Sequence, residues 1–360
     1  MEFIEDKAIK GRGAVTNRAG RYEPADRIRE ADGWQQAGEA PEPEPRDTVV
    51  SFDSSRTIIT RNQSPDIFFD QSLNAYRGCE HGCIYCFARP THAYLGLSPG
   101  LDFETRLTVK RDAAVLLRGE LSRPTYRPTI LALGMNTDPY QPIERTYRIT
   151  RAVLEVLSEF NHPVAITTKS ARILEDIDLL ADMARRNLAS VYISVTTLDP
   201  ALARVMEPRA STPENRLRAI AALRHAGIPA GISIAPIIPA INDGEIEHIL
   251  ERAAAIDASG AFWTLIRLAL ELKDLFEEWL DAHFPDRKSK VLELIRQCHG
   301  GQIYRSAFGA RMRGSGPYAE MLRQRFQKAA RRLGLAERTV ALDVSRFAIP
   351  PRAGQQLNLF

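Results

Sequence analysis

The feature that most constrains the fold is a regular alternation of strand-like and helix-like segments between residues 49 and 266. The strand-like segments are short, rich in apolar residues and close to glycine, proline, asparagine or aspartate, and this pattern predicts β-strands. The predicted strands are Ser72–Arg77, Thr129–Leu133, Pro163–Thr168, Ser190–Thr196, Ile228–Ala235 and Ala261–Ile266.

Helix-like segments lie between these strands, several of them with apolar residues at helical spacing. Alternation of this kind predicts parallel strands joined by right-handed crossovers, and therefore an α/β fold. Six such units fit an open barrel sheet, that is, a partial (β/α)6 barrel, and a doubly wound sheet is the alternative. The predicted helices are Leu107–Leu121, Thr146–Phe160, Arg172–Arg186, Pro213–His225 and Asp243–Ile256.

Composition divides the chain into four regions. Residues 1–48 are polar and end in a proline-rich segment, so we expect a mostly disordered or loosely docked extension before the barrel of residues 49–268. Residues 269–338 are predicted to be a helical, basic extension, and residues 339–360 a tail that begins with a predicted strand, Thr339–Val344. The helices expected in the extension are Glu271–His283, Lys288–Gln297 and Tyr318–Leu333.

Charge and hydropathy narrow the classes of protein. No apolar run approaches the roughly 20 residues that a membrane helix needs, and the first residues lack the order of a secretory signal, so a cytoplasmic protein is expected. The net charge is only +3, but residues 301–338 hold nine basic residues against two acidic ones. This segment would attract phosphates, and a solvated helix face is the alternative.

Three of the four cysteines are packed into one short segment with the spacing C-x3-C-x2-C: Cys79, Cys83 and Cys86. In a reducing compartment this clustering favours metal binding over disulfides. Three thiolates can each bind one iron of a cubane cluster and leave one iron without a cysteine, open to a substrate. A zinc site with His81 as fourth ligand is the alternative.

The segment around these cysteines resembles the signature of the radical S-adenosylmethionine superfamily, and Tyr85 stands at its aromatic position before the third cysteine. The wider run YRGCEHGCIYCFAR is similar to the branch that contains spore photoproduct lyase and its bacterial relatives, and the resemblance covers Ser72–Arg338. The resemblance implies a partial barrel, a [4Fe-4S] cluster, S-adenosylmethionine beside Tyr85, and a reduced flavodoxin or ferredoxin as electron donor.

The same resemblance implies where the cosubstrate binds. The second strand runs into a polar loop, so Asn136 and Asp138 are candidates for the amino group of S-adenosylmethionine. A turn built by Asp138 and Pro139 is the structural alternative.

Later strands supply the remaining candidates. Ser194 alternates with apolar residues and is expected to face ribose or substrate. Arg209 could pair with the cosubstrate carboxylate through its planar guanidinium, or bridge to Glu207 or Glu214. The backbone near Ile237 is expected to contact adenine, because its strand resembles the adenine-contacting strand of the superfamily.

Cys298, at the end of a predicted helix, has two interpretations. It could be a buried inert thiol. It could also be a catalytic hydrogen-atom donor, by analogy with the cysteine that quenches a product radical in some spore photoproduct lyases.

The printed sequence ends in Gln356-Leu357-Asn-Leu359-Phe360. This peptide resembles the one by which bacterial repair and replication proteins bind the DNA sliding clamp, and an exposed apolar tail favours a partner that buries it. The alternative is a tail that folds back on the barrel.

These features favour a radical enzyme that acts on damaged or modified DNA, in the manner of a lyase or DNA-repair enzyme. Radical modification of a protein or small molecule is the second hypothesis, and a non-catalytic metal-binding adaptor on the clamp is the third.

Overall fold

A computed structural model describes residues 7–23, 47–335 and 340–351. The clamp-like peptide Gln356–Phe360 lies outside the described residues. The strands are β1 (Val49–Phe52), β2 (Ile59–Arg61), β3 (Gln71–Leu73), β4 (Tyr76–Arg77), β5 (Arg106–Val109), β6 (Leu131–Leu133), β7 (Val164–Thr168), β8 (Ala189–Ser194), β9 (Ala230–Ile237) and β10 (Ala261–Leu265).

Each predicted helix overlaps an observed α-helix. The α-helices are α1 (Leu101–Thr105), α2 (Ala113–Leu121), α3 (Glu144–Tyr147), α4 (Ile149–Glu159), α5 (Ile177–Arg185), α6 (Pro200–Met206), α7 (Pro213–His225), α8 (Ile246–Ala255), α9 (Leu272–His283), α10 (Lys288–Cys298) and α11 (Pro317–Arg332). Helices α2 and α5 begin five or six residues later than predicted, and α1, α3 and α6 were not predicted. No helix of the described ranges is long and apolar enough to span a membrane.

The central sheet has the strand order β10-β9-β8-β7-β6-β3-β2. From β3 to β10 all neighbours are parallel, and β2 is an antiparallel edge. The parallel strands follow one another in chain order, whereas a doubly wound sheet reverses its order at a switch point. The partial (β/α)6 barrel is therefore confirmed. Because the strands are parallel, the loops that follow them meet at one edge of the sheet.

The chain differs from the sequence-based prediction around the first strand. The predicted strand Ser72–Arg77 is divided into β3 and β4, because the Asn74 side chain leaves the ladder and accepts hydrogen bonds from the backbone of Asn136 (3.0 Å) and Thr137 (3.3 Å). β4 pairs with β5 in a second, three-stranded sheet with β1.

The predicted helix Leu107–Leu121 was wrong over its first six residues. Strand β5 occupies this place, since Leu107 and Val109 are buried while the residues between and before them are not. That alternation has the period of a strand, and the helix begins only at Ala113.

The strand predicted over Thr339–Val344 was wrong for its described part. Residues 340–343 are irregular, and a 3-10 turn follows at Val344–Arg346. The segment is held by Asn187, whose side chain donates to the Ala341 carbonyl (2.8 Å) and whose carbonyl accepts from Asp343 N (2.9 Å). These contacts replace sheet pairing.

The helical C-terminal extension packs against the barrel. Apolar side chains of α9 and α10 form one buried cluster with Ile84 of the cysteine loop and with Ile266 after β10. Helix α11 lies against α8 and α10, and its Phe326 ring is 6.0 Å from the Trp263 ring of β10. The extension therefore covers both the cysteine loop and the last barrel strand.

Glu144 gives the fold a predicted pH dependence. It accepts hydrogen bonds from the Tyr76 hydroxyl and from Thr150 N (2.8 Å), and burial raises its pKa to about 7. A raised carboxyl pKa lowers the free energy of unfolding as pH rises from about 4.5 to 7, by about 3 kcal/mol. We expect Glu144→Gln to remove this part of the pH dependence in urea unfolding at pH 4.5 to 8. The same pH dependence of the free energy of unfolding in the wild type and in Glu144→Gln would contradict this prediction.

Candidate cluster and cosubstrate site

The three clustered cysteines lie on one loop between β4 and α1. Cys79 and Cys83 are buried and Cys86 is partly buried, and tight turns join them through Gly82 N to Cys79 O (3.3 Å) and Cys86 N to Cys83 O (3.2 Å). Burial, with the charges of Asp138 and then of the neighbouring thiolates, raises the pKa of Cys79. Thiolates in this environment need a compensating cation, which an iron cluster supplies. This donor set therefore fits such a cluster.

Two glycines allow the loop to be this compact. Gly78 and Gly82 have φ values of 76° and 66°. A Cβ on Gly78 would lie 2.8 Å from the Phe103 carbonyl oxygen, and one on Gly82 would lie 2.7 Å from a Glu104 carboxylate oxygen. Both the backbone conformation and the close packing exclude a larger residue without rearrangement.

Among the described ranges, no three His, Cys, Asp or Glu side chains are arranged to hold a single metal ion. His81 was the alternative fourth ligand. In the structure its Nδ1 lies 3.3 Å from Asp138 Oδ2, so this nitrogen is engaged by a carboxylate of the protein. Its backbone carbonyl accepts a hydrogen bond from Arg209 N (3.3 Å). His81 thus joins the cysteine loop to its neighbours.

A fully buried guanidinium, that of Arg89, binds the backbone of the cysteine loop. Arg89 donates to the carbonyls of Cys83 (2.9 Å), Gly82 (3.0 Å) and Gly100 (2.9 Å), and it is ion-paired with Glu104. The side chains of Arg89 and Glu104 are completely buried. The loop carbonyls are therefore fixed by one side chain whose charge is balanced locally.

Glu104 also binds the N-terminal segment of residues 7–23. Its carboxylate accepts hydrogen bonds from Gly13 N (3.0 Å) and Ala14 N (2.8 Å). A Cβ on Gly13 would lie 1.8 Å from the Gly82 carbonyl oxygen, so the segment packs directly on the loop. This part of the extension, expected to be disordered or loosely docked, forms a wall of the site instead.

Tyr85 belongs to a second buried network. Its hydroxyl donates to Glu207, which also accepts from Thr196 Oγ1 (2.7 Å) and is ion-paired with Arg216. Burial raises the pKa of Glu207, and the charge of Arg216 opposes this effect. Arg216 donates to the Ser194 carbonyl (2.9 Å), so the network ties the cysteine loop to the end of β8.

Asp138 accepts hydrogen bonds from Tyr140 N (2.9 Å), Thr168 Oγ1 (2.7 Å) and Lys169 N (2.8 Å). Burial alone would raise its pKa, but the charge and hydrogen bond of His81, with those from Thr168 and Lys169, lower the pKa to about 2. Its carboxylate oxygens are thus engaged by the protein. This arrangement favours the turn interpretation over direct contact with the cosubstrate.

Arg209 was expected to pair with the cosubstrate carboxylate or with Glu207 or Glu214. In the structure its Nη2 lies 3.1 Å from Glu80 Oε1, and its side chain is 35% exposed. Arg216 takes the place beside Glu207 that was open to Arg209.

The other predicted residues lie at the same edge of the sheet. Asn136 is on the loop after β6, and Ser194 is buried at the last position of β8. Ile237 is buried at the end of β9, and its carbonyl accepts from Ile266 N (3.0 Å). The structure brings these residues to the ends of neighbouring strands.

Cys298 lies in the apolar core at the end of α10. It is fully buried, and burial raises its pKa to about 11. These properties favour the buried-thiol interpretation over the hydrogen-atom donor.

Two cations beside the cysteine loop were not singled out from the sequence. Lys169 follows β7, its Nζ lies 5.6 Å from the centre of the Tyr85 ring, and its charge opposes the increase that burial causes in the pKa of Cys83. Arg267 follows β10, and its guanidinium carbon lies 4.1 Å from the centre of the Phe87 ring. The polar residues Thr167–Ser170 at the end of a predicted strand could have indicated Lys169 from the sequence. No local sequence pattern indicated Arg267.

The fold and the cysteine loop define a partial-barrel protein with a cluster site at the strand ends. The chain belongs to the radical SAM superfamily, whose family model matches residues 73–253, and members of this family use a [4Fe-4S] cluster and S-adenosylmethionine.

The chain is also similar to individual proteins. An uncharacterised protein of Mycobacterium tuberculosis is 39% identical over 231 residues, which are 64% of this chain and 68% of the relative. A radical SAM Nα-GlyT isomerase of Pseudomonas phage M6 is 25% identical over 205 residues, 56% of this chain and 40% of the relative. A solved structure of a spore photoproduct lyase mutant aligns with a TM-score of 0.58 and 16% identity over 79% of each chain, and it supports the fold alone.

The Arg89–Glu104 pair can be tested by removing one charge. Breaking a fully buried ion pair leaves an uncompensated charge, so we expect Glu104→Gln to lower the free energy of unfolding by about 3–5 kcal/mol and to reduce iron retention. Urea unfolding without iron and the iron content after reconstitution are the measurements.

The matched control is Glu159→Gln, which breaks the exposed ion pair with Arg118 and should lower stability by less than about 1 kcal/mol. Equal stability and iron content for the two variants would show that the cysteine loop does not depend on Glu104.

Proposed function

We propose that this chain is a radical S-adenosylmethionine enzyme that acts on damaged or modified nucleic acid. The observation that carries the proposal is the loop of three clustered thiols, placed where the barrel strands end and flanked by two buried ion pairs. Such a site is closed to bulk water on the side of the protein core.

Cys79, Cys83 and Cys86 would hold the cluster through their thiolates. When bound, the cluster supplies the electron that cleaves S-adenosylmethionine to a 5′-deoxyadenosyl radical. The chain itself orients the loop through Arg89, which fixes the loop carbonyls, and through the Tyr85 hydroxyl on Glu207.

For the cosubstrate, Lys169 is the better partner of the carboxylate than Arg209. Its ammonium lies beside Tyr85 and Cys83, whereas the guanidinium of Arg209 is already paired with Glu80. Asn136 and Ser194 remain candidates for the amino group and the ribose, and the backbone near Ile237 for adenine. Asp138 acts as a positioning residue, because it holds the backbone of Lys169 (2.8 Å).

The nucleic-acid substrate is supported by the fold. A structure of the similar lyase, with a TM-score of 0.57, is complexed with dinucleoside spore photoproduct. The basic helix α11 supports it less than its composition predicts, since three of its arginines form ion pairs. These pairs are Arg323 with Glu320, Arg325 with Glu247 (2.6 Å), and Arg332 with Glu251 (2.8 Å).

Members of the superfamily need an electron donor, and a reduced flavodoxin or ferredoxin is the donor we propose. Contact with the DNA sliding clamp through Gln356, Leu357, Leu359 and Phe360 also stays a prediction, as these residues lie outside the described ranges.

The reaction class can be tested anaerobically with reconstituted protein, S-adenosylmethionine and dithionite. We expect 5′-deoxyadenosine from the wild type, and a loss of at least about a hundredfold with the triple variant Cys79→Ala, Cys83→Ala and Cys86→Ala. Cys298→Ala, which removes a core thiol, should retain iron. A wild type with a full, reducible cluster and no 5′-deoxyadenosine would contradict the proposal, as would zinc in place of iron.

The assignment of Lys169 predicts a difference in binding. Loss of a charge-assisted contact should weaken S-adenosylmethionine binding about tenfold or more in Lys169→Gln. Arg209→Gln, whose side chain pairs with Glu80, should change the dissociation constant by less than about threefold. Calorimetric titration of both reconstituted variants decides between them. A larger increase of the dissociation constant in Arg209→Gln than in Lys169→Gln would assign the cosubstrate carboxylate to Arg209.

A further inference from the structure

Arg267 is a largely enclosed cation at the end of the last barrel strand. Burial lowers the pKa of Arg267; the charge of Arg311 adds to this effect, and those of Tyr304, Cys86 and Asp66 oppose it. Within the ranges that the structure describes, its guanidinium makes no hydrogen bond or ion pair. Asp66 is engaged by Arg311, whose Nε lies 2.5 Å from the Asp66 carboxylate. An enclosed guanidinium without an anion favours binding of an external one.

Exposed aromatic rings accompany this cation. Phe87, next to Cys86, is 46% exposed, and the guanidinium carbon of Arg267 lies 4.1 Å from its ring centre. Phe308 is 62% exposed, and the guanidinium carbon of Arg311 lies 4.8 Å from its ring centre. Phe87 belongs to the cysteine loop and Phe308 to the segment before α11, and exposed rings of this size favour a partner that covers them.

These four residues form one surface, the arginine–phenylalanine rim (Phe87, Arg267, Phe308 and Arg311). The charge of Arg311 acts on Arg267, so the two arginines lie in the same region of the protein. The rim is anchored to the barrel because the Met312 carbonyl accepts a hydrogen bond from Leu265 N (2.8 Å). It therefore lies at the strand ends, where the reaction of the proposed enzyme would occur.

Guanidinium groups bind phosphates, and aromatic faces stack with bases whatever the base sequence. We propose that the arginine–phenylalanine rim binds single-stranded or locally unpaired nucleic acid, with a phosphodiester on Arg267 and a base on Phe308. This inference rests on the proposed function and names the residues of this chain that would hold its substrate.

The rim differs from the basic helix α11, whose arginines named above are ion-paired within the protein. Arg267 has no such pair among the described residues. A carboxylate alone, such as that of the cosubstrate, would match the guanidinium but would leave the ring of Phe308 uncovered.

The experiment is the fluorescence anisotropy of a labelled oligothymidylate of about twelve nucleotides, titrated anaerobically with the reconstituted full chain at several salt concentrations. We expect Arg267→Gln to weaken binding about tenfold and to reduce the salt slope by about 0.7, the contribution of one phosphate. Phe308→Ala should weaken binding about fivefold or more without changing the slope.

Arg267→Lys keeps the charge and serves as the second variant, so it should keep the salt slope while binding more weakly than the wild type. The matched control is Arg323→Gln, which removes an exposed arginine of α11 paired with Glu320 and should change affinity by less than about twofold.

The outcomes separate the two proposals. A wild type that does not bind the oligonucleotide overturns both the rim and the nucleic-acid substrate. A wild type that binds, with Arg267→Gln and Phe308→Ala equal to it, overturns the rim alone. Weaker S-adenosylmethionine binding in Arg267→Gln, with unchanged oligonucleotide affinity, assigns the guanidinium to the cosubstrate carboxylate and also overturns the rim.

Discussion

The site depends on one buried ion pair, that of Arg89 and Glu104. A buried pair is tolerated only when hydrogen bonds satisfy the groups that lost water, and here loop carbonyls and backbone N–H groups do so. The guanidinium binds the cysteine loop and the carboxylate binds residues 13 and 14. One interaction thus joins three separate stretches of chain around the thiols.

The pair of Glu207 and Arg216 does the same on the barrel side. It connects Tyr85 of the cysteine loop with Thr196 after β8. Both pairs are neutral as units, so they position the loop without adding net charge beside the thiols. Lys169, whose charge acts on Cys83, and Arg267, whose charge acts on Cys86, are two cations outside these pairs. The groups that hold the loop are thus paired with one another, whereas the ammonium of Lys169 lies over the Tyr85 ring.

The C-terminal extension has two roles that its uniform basic composition conceals. Helix α11 uses Arg325 and Arg332 to bind the acidic side chains of α8, which fastens it to the barrel. In the loop before it, Arg311 lies over the Phe308 ring and is ion-paired with Asp66 of the loop between β2 and β3. Charge counted along the sequence does not show which acidic side chain an arginine pairs with, because pairing depends on the segments that the fold brings next to it.

The sequence by itself determined the barrel and the thiol spacing, since strand and helix periods and the C-x3-C-x2-C loop are local patterns. Strand β5 was not predicted, because its short alternating segment lies just before a helix and was assigned to that helix. The tertiary structure decided which side chains meet: Glu104 with Gly13, 91 positions away, and Arg311 with Asp66, 245 positions away. Local periodicity carries no information on such pairs, because they form only when the fold brings distant segments together.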